Sequence, residues 1–309
     1  MAAEKLKEPT KRILLWGPPR SLSTVFEKCM SYVDGIQIIN EPYITAFNAG
    51  PERKIGGNNM VQDGVVDFMN NAREEVKSIE DITGWDDEIC TYQWVKDTLE
   101  AEYPNKKLVF VKDLIPGIVD KFHMLPRGYR HTFLIRNPTK VVVSLRKLVI
   151  KTFLPAEFPV EMFRLDEMIK MSGEYDVNKF IFGEMIDLIA HLKKEGMQEE
   201  EPIIIDADDL QNHPQSILRQ YCEAVGIPYS DSLLKWEAGD DIVKKNWLTS
   251  KSLLHGNKTG NYYAGAFAST EFQPASDPPS GDDVPDDVKE LIAKAEPFYQ
   301  KLYEKRIKP

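Results

Sequence analysis

Short apolar runs alternate along the chain with longer amphipathic stretches. Five runs, Ile13–Trp16, Ile36–Ile39, Leu108–Val111, Thr132–Ile135 and Ile203–Ile205, are rich in β-branched residues and bounded by polar or turn residues. A run of that length with no polar alternation reads as a strand buried on both faces. Helical spacing of apolar positions fills the intervals, and strands alternating with helices imply right-handed crossovers. The pattern predicts an α/β fold: a three-layer, P-loop-type domain with a central parallel sheet of about five strands and helices on both faces. In such sheets ligands bind beyond the carboxyl ends of the strands, so the residues after each run are the candidates for chemistry.

Two regions break the alternation. Residues 151–175 mix Phe, Met and Pro with charges, and fit either a substrate lid or a surface helical insertion that packs its apolar stripe. Residues 249–285 are rich in Gly, Ser, Pro and Asp, the composition of a long surface loop, and a last helix is expected near 285–305. No internal repeat is visible. The expectation is one domain over residues 1–309, with a core from about 11 to 265 and a C-terminal loop and helix over 266–309.

Composition narrows the partners. The formal net charge is −10, and an acidic surface repels nucleic acid and other polyanions. A small-molecule ligand with locally concentrated positive charge fits better. The three cysteines, Cys29, Cys90 and Cys222, are far apart and odd in number, which argues against a disulfide framework and suits a reducing compartment. Residues 1–12 are polar, and no apolar run reaches the ~18 residues of a membrane span. The expected location is cytoplasmic, with no membrane partner; nothing in the sequence specifies the oligomeric state.

The first apolar run leads into Gly17-Pro18-Pro19-Arg20-Ser21-Leu22-Ser23-Thr24 and then a helical pattern. A strand, a tight turn and a helix start line up free backbone N–H groups against an anion. The hydroxyls of Ser21, Ser23 and Thr24 add donors, and Arg20 adds charge and a forked contact. The plain alternative is a helix capped by Ser21 or Ser23. The nucleotide-hydrolase pattern G-x-x-x-x-G-K-[ST] is absent, and no lysine precedes the Ser-Thr pair.

The segment Pro19-Arg20-Ser21-Leu22-Ser23-Thr24 resembles the 5′-phosphosulfate loop of sulfotransferases that use 3′-phosphoadenosine-5′-phosphosulfate (PAPS), commonly written P-[KR]-S-G-[ST]-[ST]. Arg20 stands where many members carry lysine, and Leu22 replaces the usual glycine, as in the P-R-S-x-S-T branch. The resemblance implies that Arg20, Ser21, Leu22, Ser23 and Thr24 form the 5′ side of a PAPS site. A second element follows the fourth run. Arg136-Asn137-Pro138 leads into a helix that carries Ser144, and Asn137 and Pro138 suit the N-cap and first turn. This resembles the family pattern R-[ND]-P-x-x-x-x-x-S, whose Arg and Ser hold the 3′-phosphate, and so assigns that role to Arg136 and Ser144. A third family element, a basic Gly-containing loop, corresponds to the segment around Gly256 and Gly260, with Lys258 as the candidate contact; a plain surface loop explains it equally well.

The resemblance implies sulfuryl transfer from PAPS, without a metal, to a hydroxyl or amine of a small-molecule acceptor. Typical cytosolic members place a histidine as base after the third strand, where this chain has Lys112 and Asp113 instead. Other branches place a Glu after the second strand, where Glu41 stands. Glu41 is therefore the first candidate base and Asp113 the second, with Arg20 and Lys112 offsetting charge. The five histidines show no metal spacing; His131 and His213 read as structural. Three other readings stay open: a nucleotide-dependent kinase with Asp206 in a Walker-B-like strand, a binding protein that has lost transfer, and a sulfotransferase scaffold repurposed for sulfate-departure chemistry such as cyclisation.

Overall fold

The computed structural model describes residues 9–53, 60–77, 83–154, 157–172, 176–198, 201–254 and 263–309. Strand β1 (Lys11–Gly17) leads into α1 (Ser23–Met30), β2 (Ile36–Asn40), α2 (Pro42–Asn48), α3 (Met60–Val76) and α4 (Tyr92–Glu100). Next come β3 (Leu108–Leu114), β4 (Arg130–Ile135), α5 (Pro138–Phe153), α6 (Leu165–Ser172) and α7 (Phe182–Lys194). The last part holds β5 (Ile203–Asp206), α8 (Ala207–Asn212), α9 (Pro214–Val225), α10 (Asp241–Asn246), β6 (Trp247–Thr249), α11 (Ala264–Ala268) and α12 (Asp286–Glu304).

The strands form one six-stranded sheet in the order β5-β4-β1-β3-β2-β6, and every pairing is parallel. The expected strand count of about five is corrected to six. The missed strand, β6, has three residues and pairs only with β2 at the sheet edge, too short for an apolar run to stand out. Side chains alternate between two cores, as a strand buried on both faces requires. Leu14 and Trp16 of β1 join Val109, Val111, Phe133 and Ile135 under α2, α4, α5, α7 and α12. Ile13 and Leu15 join Ile38, Phe110, Leu134 and Ile205 under α1, α9 and α10.

Of the two readings of residues 151–175, the described part follows the packed insertion. α5 runs on to Phe153, and Phe163, just before α6, joins Leu165 and Ile169 of α6 in the first core. Asp287 fixes this insertion: Arg146 Nε donates to both its oxygens at 2.8 Å, and the Leu165 N–H donates to Oδ2 at 2.8 Å. The predicted last helix is α12, whereas residues 249–285 are less loop-like than expected, because β6 ends at Thr249 and α11 lies within them. His131 is structural, as expected: its Nδ1 accepts from Trp16 Nε1 at 3.0 Å inside the core. No helix among the described residues is long and apolar enough to cross a membrane.

Several carboxyls are buried away from the surface. Burial pushes Asp113 and Glu184 up to about 7 and Asp206 up to about 6. Unfolded carboxyls titrate near ~4, so between ~4 and those values the native state holds the extra protons. Their contribution to stability is present at acid pH and lost as pH rises through 6–7. His131, held down to about 3 by burial, acts in the opposite sense only below ~6.5. The thermal unfolding midpoint is therefore expected to rise when pH is lowered from about 8 to about 6.5. Glu184→Gln should flatten that slope, and an unchanged slope in this variant would exclude Glu184 as a source.

Candidate active site

Adjacent parallel strands bring distant segments to one edge. β1 and β4 pair from Ile13↔Arg130 to Trp16↔Phe133, so the loop after Gly17 and the turn at Arg136 emerge side by side. β3 lies on the other flank of β1, and β2 beyond it, with Asn40 opposite Lys112. The chain leaves β1 toward one side of the sheet and enters β4 on the other, and the crevice lies at that switch point.

The loop after β1 is tightly folded. A Cβ on Gly17 would lie 3.0 Å from Ser21 Oγ and 3.2 Å from the Leu134 carbonyl oxygen, so a larger residue would push the loop off the strand ends. Arg20 (φ 66°) and Leu22 (φ 72°) both take left-handed backbone. Glu41 (φ 54°) does the same across the crevice, so half of the six non-glycine residues with positive φ among those described cluster here. Each such residue costs on the order of 1–3 kcal/mol and persists only where its surroundings enforce it, a distribution typical of functional sites. Leu22 itself is the N-cap of α1, and no side-chain cap is made, so neither Ser21 nor Ser23 caps the helix. Ser21 Oγ is instead buried with no hydrogen-bond partner among the described residues.

The two motifs touch. Arg20 Nε donates to Ser144 Oγ at 3.0 Å, and Arg136 Nη1 donates to the Arg20 carbonyl at 2.9 Å. Asn137 caps α5 as expected, accepting from the Thr139 and Lys140 N–H groups at 3.0 and 3.3 Å. Burial lowers the Arg136 guanidinium below its ordinary value, with Asp208 and Asp206 opposing the shift. Asp208 sits between two cations, 2.6 Å from Lys140 Nζ and 3.9 Å from Arg136 Nε. Arg136 Nε is buried without a hydrogen-bond partner among the described residues.

The ends of β2 and β3 supply the acid groups. Glu41 Oε1 accepts from Lys112 Nζ, and both side chains are nearly inaccessible to water, at 6% and 1% exposure. Lys112 Nζ also lies 3.4 Å from Thr24 Oγ1, which links the pair to the loop. Glu41 Oε2 accepts from the Tyr263 hydroxyl at 2.5 Å. Asp113 is differently employed: Oδ2 accepts from the Tyr43 N–H at 2.6 Å, and Oδ1 accepts from Ile44 and Leu114 at 3.1 and 2.8 Å. Its carboxyl is thus an anchor for the start of α2. The crevice brings together Arg20, Ser21, Leu22, Ser23, Thr24, Glu41, Lys112, Asp113, Arg136 and Ser144, while Lys258 lies outside the described residues. Sequence reasoning missed Tyr263, whose only local sign was an aromatic residue after a Gly-containing loop.

A sulfotransferase-domain family model matches residues 197–306. Two curated relatives from Arabidopsis thaliana are named branched-chain-amino-acid aminotransferase-like proteins 2 and 1. The first is 27% identical over 228 residues, 72% of this chain and 31% of the relative. The second is 26% identical over 239 residues, 75% of this chain and 34% of the relative. The chain therefore spans about a third of the length of the curated relatives it matches. Among solved structures, a sulfotransferase domain from the curacin biosynthetic pathway is 16% identical, with coverage of 97% of this chain and 99% of the other at a TM-score of 0.46. A sulfotransferase from Alicyclobacillus acidocaldarius is 12% identical, with coverage of 84% and 97% at a TM-score of 0.45. The sulfotransferase-domain model covers residues 197–306, about a third of the chain, and lies C-terminal to both motifs.

Proposed function

We propose that this chain transfers the sulfuryl group of PAPS to a hydroxyl or amine of a small-molecule acceptor. The observation that carries the reading is the direct contact between the two motifs, through Arg20 with Ser144 and Arg136 with the Arg20 carbonyl. A ligand with phosphate groups at both ends of a nucleoside would span such a pair. Two buried polar atoms without hydrogen-bond partners among the described residues, Ser21 Oγ and Arg136 Nε, fit a site whose acceptors come with the ligand.

The reading gives each residue one task. Ser21, Ser23, Thr24 and the α1 backbone N–H groups hold the 5′ side, with Leu22 setting the turn. Arg136 and Ser144 hold the 3′-phosphate, and Lys258 is the candidate for an added contact. PAPS supplies the activated sulfuryl group. The acceptor's oxygen or nitrogen forms the new bond to sulfur as the bond from sulfur to the nucleotide oxygen breaks, and the acceptor's proton passes to Glu41. Arg20 and Lys112 offset the negative charge that develops on the departing side. Glu41 is preferred to Asp113 as base because the Asp113 oxygens hold backbone N–H groups, whereas one donor to Glu41, the Tyr263 hydroxyl, comes from a half-buried side chain. A kinase reading would need Asp206 for a metal ion. That carboxylate instead accepts from the Asp208 and Asp209 N–H groups and from the Tyr299 hydroxyl.

The direct test is transfer of label from sulfur-labelled PAPS to a metabolite extract, with labelled products identified. A protein that binds the nucleotide but labels nothing would favour the non-catalytic scaffold, and an unlabelled cyclised product would favour the repurposed one. Calorimetry should show binding of adenosine 3′,5′-bisphosphate with chelator present. Arg136→Ala should weaken it by about 2–4 kcal/mol, because a charge-assisted phosphate contact is removed. Adenosine 5′-phosphosulfate should lose less, and only through the broken bond to the Arg20 carbonyl. Equal losses for both nucleotides would remove Arg136 from the 3′ site.

Glu41→Gln should lower kcat by about 10²–10⁴-fold with little change in bisphosphate affinity. The same change leaves the Lys112 cation buried without its partner, so a fall in the unfolding midpoint is also expected. Rates are therefore to be compared at a temperature where both proteins are folded. Near-normal turnover would exclude Glu41 as the base.

A further inference from the structure

The carboxylate assigned as base already receives a hydroxyl. Glu41 has two oxygens: one takes the Lys112 ammonium, the other the Tyr263 phenol at 2.5 Å. Lys112 is 1% exposed and fixed within β3, so its position is not exchangeable. Tyr263 is only half-buried and lies on the segment entering α11. Of the two donors, it is the one that can be replaced.

The segment is held so that the phenol points inward. Lys28, buried in α1, donates to the carbonyls of Phe267 and Ser269 at 2.7 and 3.0 Å and lies 3.3 Å from that of Ala266. The Tyr263 ring packs 5.9 Å from Phe267, which packs 6.3 Å from Trp247 of β6. On the inner side, Lys112 Nζ lies 5.7 Å from the centre of the Tyr263 ring, in cation–π range. The anchor reaches back to α1, the helix that begins at the proposed phosphate loop.

Resting on the PAPS reading above, we infer that Tyr263 is a positioning residue whose hydroxyl stands in for the nucleophile. It occupies the place on Glu41 Oε2 that the acceptor's hydroxyl or amine takes during transfer. With Tyr263 in place, the base is closed to water, and bound PAPS is protected from hydrolysis until an acceptor displaces the phenol. This explains why a residue far along the chain touches the base at all, and why the segment bearing it is tied to α1 rather than left on the surface.

Removal of that one oxygen makes the idea measurable without a known acceptor. Tyr263→Phe keeps the ring and its packing but leaves a gap of about one water beside Oε2. A water there can be activated by Glu41: its oxygen bonds to sulfur, the sulfur–nucleotide oxygen bond breaks, and its proton goes to Glu41. The products are sulfate and adenosine 3′,5′-bisphosphate. The experiment is sulfate release from sulfur-labelled PAPS with no acceptor added, alongside bisphosphate affinity by calorimetry. The expected result is a rise on the order of 10-fold in Tyr263→Phe, with affinity unchanged and the rise abolished in Tyr263→Phe/Glu41→Gln. Unchanged or slower release overturns the inference, as does a rise that survives loss of Glu41. If the unsubstituted protein binds no bisphosphate, the PAPS reading falls and this one with it. If it binds normally and only the release is unchanged, this inference alone falls.

Discussion

A lysine and a glutamate that meet almost without water set the terms for the whole edge of the sheet where the candidate site lies. Removing either charge from solvent alone costs several kcal/mol, so Lys112 and Glu41 have to find each other. They can do so only if β2 and β3 stay in register, with Asn40 opposite Lys112 and the Glu41 N–H donating to the Lys112 carbonyl at 2.8 Å. The left-handed backbone of Glu41, awkward for any residue with a Cβ, is part of the same arrangement. It turns the carboxylate back over β3 at the point where Pro42 starts α2. Asp113, one residue beyond Lys112, then fastens that helix start through the Tyr43 and Ile44 N–H groups.

On the other flank of β1 the coupling runs through a main-chain carbonyl. Arg136 cannot reach the Arg20 oxygen unless β1 and β4 are neighbours and parallel, and the Arg20 side chain cannot reach Ser144 unless α5 starts where Asn137 caps it. The loop after β1 is thus stretched between two anchors, Thr24 near Lys112 on one side and Arg20 against the β4–α5 turn on the other. Of its strained residues, Arg20 is itself an anchor and Leu22 sits between the two, which is where strain can be held.

How much of this the sequence disclosed follows from the range of the interactions. The five longer strands were legible because each is apolar on both faces, and the Asn137-Pro138 cap because capping depends on residues two or three apart. β6 was not, since three residues at an edge carry too little pattern. Leu22 stands where the family pattern has glycine, yet local propensity did not reveal that it would replace a serine cap with left-handed backbone, because the loop is shaped by Gly17 packing on Leu134 and Ser21. Choosing between Glu41 and Asp113 required knowing which oxygens were already committed. Tyr263 was invisible for a simpler reason: its partner lies 222 residues away along the chain.

Beneath the crevice the electrostatics allow one charged carboxylate more easily than three. Glu27 and Asp113 share the neighbourhood of Glu41, and Lys112 is the cation that meets them there. Burial pushes Glu27 well above the usual carboxylate range, and the nearby acids push it further, while Asp113 is raised to about 7. The two that do not bond the lysine are put to structural use. Glu27 Oε2 accepts from Asn40 Nδ2 at 2.8 Å, and Asn40 in turn accepts from the Thr249 hydroxyl at 3.0 Å, joining α1, β2 and β6. The lysine therefore selects among the acids. The one it bonds faces the crevice with an oxygen held by a replaceable phenol, and the others become part of the frame that keeps that oxygen in place.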